Sequence, residues 1–305
     1  GTLKAATTAV TDATTAGLTV ADTTKKVDQN TTITQYAAVS LGDITVGSAA
    51  SGATTGATFT LTNNAENAVE ASSLTVVKNT DTGVSSFTLG AGKFSVGKLT
   101  NQGTVTLTDG EFSLTGEGSN ASGAKINLAD TATASLVIAE GASLQNQGDI
   151  GTANTQGKIK VSGTLTNAPA VTGTSPVPAG TITAAAVEVD GVLSTALDTT
   201  YDVTTTTINT AGELQTSYNA RLDGKTPSTS DVADALSISK QIDLAGKITV
   251  AGVEVQKYIV AAGGTFNLNS DKTFDNVQVA GTFATKDADV TLSVLDVKNG
   301  GTATV

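Results

Sequence analysis

The residues able to carry acid–base chemistry in this chain are carboxylates at short spacing: Asp287 with Asp289 in the run KDAD, and Asp231 with Asp234 in STSDVADALSISK. Such a pair can divide the roles of general acid and general base, or hold a hard cation such as Ca2+ through oxygen ligands. Each has a plainer reading. KDAD joins two strand-like runs, and alternate acids there form a solvated bend. Asp231 and Asp234 fit the first turn of a short helix with Ser228 or Ser230 as N-cap, where negative charge complements the helix dipole. A site that cleaves polysaccharide also needs a basic residue, and Arg221, the only arginine, lies in a loop-like stretch with no motif bringing it beside acids. The run GAGKFS at Gly90 to Ser95 has the glycines and lysine of a phosphate-loop fragment but not the complete pattern, so corner glycines are the preferred reading. Tyr36, Tyr201, Tyr218 and Tyr258 are too dispersed for a sugar-stacking platform. Asn30 (NTT) and Asn120 (NAS) meet the glycosylation sequon. No catalytic, cofactor or metal residue is assigned, and Ca2+ is the one ion kept in view.

Composition narrows the function classes further. The 305 residues contain no Cys, His, Met or Trp, which removes thiolate and imidazole nucleophiles, the commonest general base and the soft metal ligands. The net charge is −11, from 28 acidic and 17 basic residues, so a phosphate backbone would meet mostly repulsion and nucleic acid is not an expected partner. No apolar run is long enough for a transmembrane helix. Starting at Gly1 with no basic-then-apolar leader, the chain reads as a processed or trimmed form. The lack of Cys and Met suits exposure to oxidants outside the cell and leaves no disulfide to staple the fold. The expected location is extracellular, at a cell surface.

The elements that would position any site are strands. Hydrophobic residues make up 39% of the chain and aromatics 4%, and Val, Ile and Thr in period-two alternation favour β-structure. Residues 1–30, rich in Thr and Ala, read as an arm able to add a strand to a neighbouring molecule. Residues 31–90 read as an irregular β region or as the first coils of a longer winding. From 91 to 305 the chain repeats a core of apolar, any, apolar, one or two residues, Gly, any, apolar. Its glycines fall at Gly110, Gly141, Gly163, Gly191, Gly212, Gly252, Gly281 and Gly301, with gaps from 20 to 40 residues and a base step of 20 to 22. A step of that size suits one coil of a solenoid and is too short for a strand–helix–strand unit. Insertions are expected near 168–179, which holds three of the four prolines, and near 217–235, which holds the short helix and Pro227.

Stacking explains the residue choices. Each strand would pair with its equivalent one coil away, with Val, Ile and Leu inside, Thr on the wet face, and Gly at the bends. Asn in LTNQG, SLQNQG and LTNAP can serve turn geometry or stack as a ladder between coils. With KNGGTATV, these motifs resemble the right-handed parallel β-helices of bacterial surface and secreted proteins: autotransporter passengers, filamentous-haemagglutinin-like adhesins and some surface-layer proteins. The resemblance covers roughly Gly90 to Val305 and implies a structural role in adhesion, coat or filament formation. It lacks a C-terminal membrane-barrel segment and aspartate-rich calcium repeats. The expectation is an all-β, right-handed parallel β-helix that self-assembles head-to-tail into a layer or filament, and is not an enzyme. The alternative fold is tandem β-sandwich domains, and the alternative function is an adhesin or a carbohydrate-binding or carbohydrate-cleaving protein with a cell-surface glycan as partner.

Overall fold

The computed structural model describes residues 18–20, 30–35, 41–47, 57–63, 68–78, 85–152, 156–167, 170–172, 175–177, 180–195, 200–216, 235–250, 252–286 and 288–305, with side chains undescribed in 18–20, 30–35, 170–172 and 175–177. All regular elements among these residues are β-strands. No helix among them is long and apolar enough to cross a membrane.

The strands are short because Gly, Asn and Asp interrupt the alternation every few residues, and most pair in parallel with strands 17 to 36 residues away, forming columns. The first column runs through Thr58–Asn63, Ser86–Ala91, Thr104–Leu107, Lys125–Leu128 and Asp149–Ile150 to the start of Thr181–Val189. The second holds the first halves of Lys93–Asn101 and Glu111–Asn120, then Ser135–Ile138, Lys158–Val161 and the last residues of Thr181–Val189. The third takes the second halves of those two long strands, then Ser143–Asn146, Thr164–Asn167, Val192–Thr195, Glu213–Thr216 and Lys247–Val250. The chain visits first, second and third column in that order and returns to the first one strand further along. Parallel pairing continues on both sides of Gly90, since Val69–Val76 pairs with Lys93–Asn101, although the register slips by one residue at Gly90 itself. Tandem sandwiches would pair antiparallel instead.

One face of each strand is buried, as the pattern exposed, buried, intermediate, buried of Lys158–Val161 shows. The buried row is aliphatic along most of its length, with aromatic clusters towards each end. Phe59, Phe87, Phe94 and Phe112 pack with centroids 5.1 to 6.3 Å apart, and Tyr258, Phe266, Phe274 and Phe283 at 4.7 to 6.3 Å. Each buried ring of this size is worth about 2–3 kcal/mol relative to exposure.

The glycines serve two different purposes. Gly163, Gly191 and Gly212 form a row in which a side chain would strike the neighbouring strand: a Cβ on Gly191 would lie 2.1 Å from the Gly163 carbonyl oxygen and 2.4 Å from that of Ser162. Gly301 follows Gly281 in the same way, since Thr302 pairs with Thr282 and its N–H donates to the Gly281 carbonyl at 2.9 Å. Gly141 and Gly252 belong elsewhere, in turns with φ of +76° and +79° and open space around them. Gly246, not Gly252, is in line with Gly212, because Lys247 pairs with Glu213. Gly110 also leaves the row and sits against Gly92, in line with Lys93 pairing Glu111. The mixed gaps in the sequence arise from merging these sets.

The third column ends inside the chain. Val253–Glu254 turns back antiparallel to Lys247–Val250 and covers its free edge. The second column continues through Tyr201–Ile208, Gln241–Leu244 and Thr265–Leu268, while Lys257–Val260 pairs with Leu236–Ile238 in a separate four-stranded sheet. The helix expected over residues 228–240 is corrected in its described part, where Leu236–Ile238 is a strand with a parallel partner; Leu236 and β-branched Ile238 are buried at alternate positions, with buried Val260 paired to Ile238. Within 168–179, Ala170–Thr172 and Ser175–Val177 make an antiparallel hairpin outside the large sheet.

Gly191→Ala is expected to lower stability by about 2–4 kcal/mol because backbone must move, while Gly141→Ala meets no atoms and loses only about 1–2 kcal/mol to its left-handed φ. Urea midpoints of the two variants decide the order.

Candidate functional site

Polar chemistry in the described residues concentrates in two places. The first is inside. Asn101, Asn120, Asn146 and Asn167 close the third-column strands at positions that the pleat turns inward, and all four are fully buried. Asn101 Nδ2 donates to Asn120 Oδ1 at 2.8 Å, Asn120 to Asn146 at 2.7 Å, Asn146 to Asn167 at 2.6 Å, and Asn167 to Thr195 Oγ1 at 3.1 Å. The second proton of three of these amides goes to a first-column carbonyl: Lys125 at 2.9 Å, Asp149 at 3.2 Å and Thr181 at 3.2 Å. Ladder and corner are thus joined, and the asparagines in LTNQG, SLQNQG and LTNAP take the stacked role. Asn120 is also a sequon residue, and the nitrogen that would carry a glycan is buried with both bonds made. Asn30, the other sequon residue, opens the strand Asn30–Gln35.

The second place is the outer face. Lys160 Nζ lies 3.3 Å from Glu188 and 3.1 Å from Asp190, and Asn209 Nδ2 donates to both carboxylates at 3.0 and 2.6 Å. The Asn209 hydrogen bond, followed by Lys160, holds the Asp190 carboxyl below its ordinary range, and the hydrogen bond from Asp190, then Glu188, raises Lys160. The same motif recurs where Lys247 meets Glu213 at 2.7 Å, with Thr249 donating to that carboxylate at 2.8 Å; Lys247 first, then Thr249 and Gln215, lower Glu213. A proton-transfer group works best when it titrates near the operating pH. Here the resolved shifts move acid and base away from neutrality, so these clusters behave as fixed ion pairs.

Their placement follows a rule. At the register positions where two charged residues face each other, Lys93 with Glu111, Lys98 with Glu117, Lys125 with Asp149, Lys160 with Glu188 and Glu213 with Lys247, the signs are opposite. Sequence reasoning missed this set, because the facing residue is 18 to 34 positions away and only the register reveals it.

The described residues among those singled out for chemistry are not brought together. Asp289 sits in an exposed bend, its N–H donating to Asp271 Oδ1 at 2.9 Å; Asp287, Asp231, Asp234, Arg221, Tyr36 and Tyr218 lie outside the described residues. Among the described residues no group of three or more acidic side chains could hold a metal ion. In GAGKFS, Gly92 turns between the strands Ser86–Ala91 and Lys93–Asn101, and a Cβ there would be 1.9 Å from the Asn63 carbonyl oxygen. The Lys93 carbonyl accepts Asn63 Nδ2 at 2.7 Å, so this loop is a packed corner. Tyr201 and Tyr258 are core residues. The Tyr201 hydroxyl meets Thr206 Oγ1 at 2.8 Å, and burial raises both phenols above their ordinary range. No protein-family model, curated protein or solved structure matches the chain.

Asn146→Leu should lower the urea midpoint by the equivalent of about 1–3 kcal/mol, because Asn167 Oδ1 loses its donor inside the core, while the outward Thr166→Ala stays within about 0.5 kcal/mol. Stability should also depend on pH at both extremes. Asp190, lowered in the fold, contributes above the unfolded carboxylate range and loses this as pH falls through its folded value. Lys160, raised in the fold, contributes below the unfolded lysine range and loses this as pH rises through its folded value. Thermal melts across pH should show both flanks, with the acid flank flattened in Asp190→Asn.

Proposed function

We propose that the chain is a right-handed parallel β-solenoid that forms a structural part of an extracellular, cell-surface protein, and that copies associate along the winding axis into a layer or filament. The observation that carries this reading is the third column, which keeps parallel register from Asp43–Val46 through to Lys247–Val250. A chain that visits three columns in fixed order and steps one strand per circuit winds around an axis, and crossovers between parallel strands are right-handed in nearly all proteins. Such a body derives its stability from nearest-neighbour interfaces and bears load along its length. The composition supports an oxidising exterior, since no side chain oxidises readily to a disulfide or sulfoxide.

Axial association has its support in the strand Val290–Val297. Leu295 and Val297 continue the rows of Val277 and Val279, which are 0% exposed, yet they are 37% and 45% exposed themselves. A surface with this pleat and spacing accepts a further parallel strand, and a second copy offers strands of the same period.

Sedimentation and negative-stain microscopy of the purified chain test the proposal. Concentration-dependent rods are expected, and Leu295→Lys with Val297→Lys should shorten them. Monomers at every concentration would sink the association, and irregular globules in place of rods would sink the solenoid. Release of reducing sugar from surface polysaccharides in the presence of Ca2+ would overturn the structural role in favour of carbohydrate cleavage.

A further inference from the structure

We propose that Asn299 is a site of spontaneous backbone modification, converting through a succinimide to aspartate and isoaspartate. The turn at 298–301 belongs to a recurrent set. In each the fourth N–H donates to the first carbonyl: Gly301 to Lys298 at 3.0 Å, Gly264 to Ala261 at 2.9 Å, Ala142 to Ala139 at 3.0 Å and Ala124 to Ala121 at 2.9 Å. The third residue is a glycine at positive φ, +88° at Gly300, +83° at Gly263, +76° at Gly141 and +77° at Gly123, as a type II turn requires. Its own N–H takes no part in that bond, and among the described residues the Gly300 N–H meets no acceptor.

The second residue of the turn decides the chemistry. It is Ser122, Glu140 and Ala262 in the other three, and Asn299 here, which makes the only Asn-Gly step in the chain. The deprotonated Gly300 nitrogen can attack Asn299 Cγ. A nitrogen–carbon bond forms, the Cγ–Nδ2 bond breaks, and ammonia leaves with the proton. Water then opens the ring at either carbonyl; no oxidant or reductant is needed. Gly300 has no Cβ to block the approach, and nothing lies within 4 Å of where one would be. Asn299 and Gly300 are exposed. The matching Gly263 is exposed too, although the strand it leads into is paired on both sides, with Gln241–Leu244 and Thr282–Thr285, so this turn stays open when strands flank it.

The contrast lies in the ladder. Asn101, Asn120, Asn146 and Asn167 are buried, hold their amides in hydrogen bonds, and precede Gln or Ala. Modification at 299 adds a negative charge beside the Lys298–Asp296 pair. The isoaspartate form also lengthens by one methylene the turn that delivers Thr302–Thr304 to its pairing with Thr282–Thr285.

The test holds the full chain and a peptide of residues 296–303 in the same mildly alkaline buffer, with peptide mapping for the amide-to-acid mass gain and enzymatic detection of isoaspartate. Expected is conversion at Asn299 within about tenfold of the peptide's rate, the equivalent of a small change in barrier. The four ladder asparagines should remain intact, and Asn299→Gln should abolish the signal. If Asn299 persists after the peptide has passed through several half-lives, the fold protects the turn and the proposal fails.

Discussion

Parallel strands in constant register set each side chain directly over its counterpart on the next strand, about 4.8 Å away, and the rest of the structure answers to that distance. Aliphatic residues tolerate it and gain from it, which is why the inner rows repeat Val, Leu and Ile. Charged residues of one sign do not, and the facing positions on the outer surface alternate Lys with Glu or Asp. An amide does better than tolerate it, because each Asn donates to one neighbour and accepts from the other, closing a chain through Asn101, Asn120, Asn146 and Asn167. Where even a methyl group is too large, the row is glycine, as at Gly163 and Gly191.

The same distance explains how a column ends. A parallel edge leaves its donors and acceptors open, and extending it requires a further crossover connection. At Lys247–Val250 the chain instead makes a two-residue return, Val253–Glu254, whose antiparallel pairing uses those groups at once. Glu254 then reaches Lys272 at 3.5 Å, tying the return to the strands beyond it. The later strands are free to proceed without the third column, and the aromatic cluster around Tyr258 and Phe266 fills the core beside them.

Much of this was legible. Alternation marked the strands, LTNQG and SLQNQG left turn and ladder both open, and the 20-residue spacing of Gly281 and Gly301 agrees with the parallel pairing of Thr282 with Thr302. Parallel pairing in a large all-β sheet followed from those signs. What was not legible depended on register. Gly110, Gly141 and Gly252 look like Gly163 in their local sequence, yet a positive φ or a different neighbour separates them, and neither is written in the flanking residues. Lys160 and Glu188 look like unrelated surface charges until parallel pairing sets them face to face, 28 residues apart. Leu236–Ile238 shares ALSISK with a plausible helix end, and tertiary pairing with Lys257–Val260 overrides that local preference.

The buried amides make register specific in a way the aliphatic rows alone cannot. In a sheet, a slip of one residue sends every side chain to the opposite face. For Val or Leu the penalty is lost burial, which neighbouring apolar residues partly restore. For Asn120 it is the loss of bonds to Asn146 and Asp149, together with an orphaned Nδ2–H on Asn101, which donates to it, and an orphaned polar group in the core costs about 1–3 kcal/mol. Because each amide serves two neighbours, the penalty spreads along the ladder and a local slip cannot be absorbed locally. The outer ion pairs act in the same direction, since shifting Lys160 away from Glu188 and Asp190 leaves both carboxylates without their cation. A chain built from many short strands of one pattern has many approximate matches to itself, and this inner and outer polar pair of ladders selects one of them.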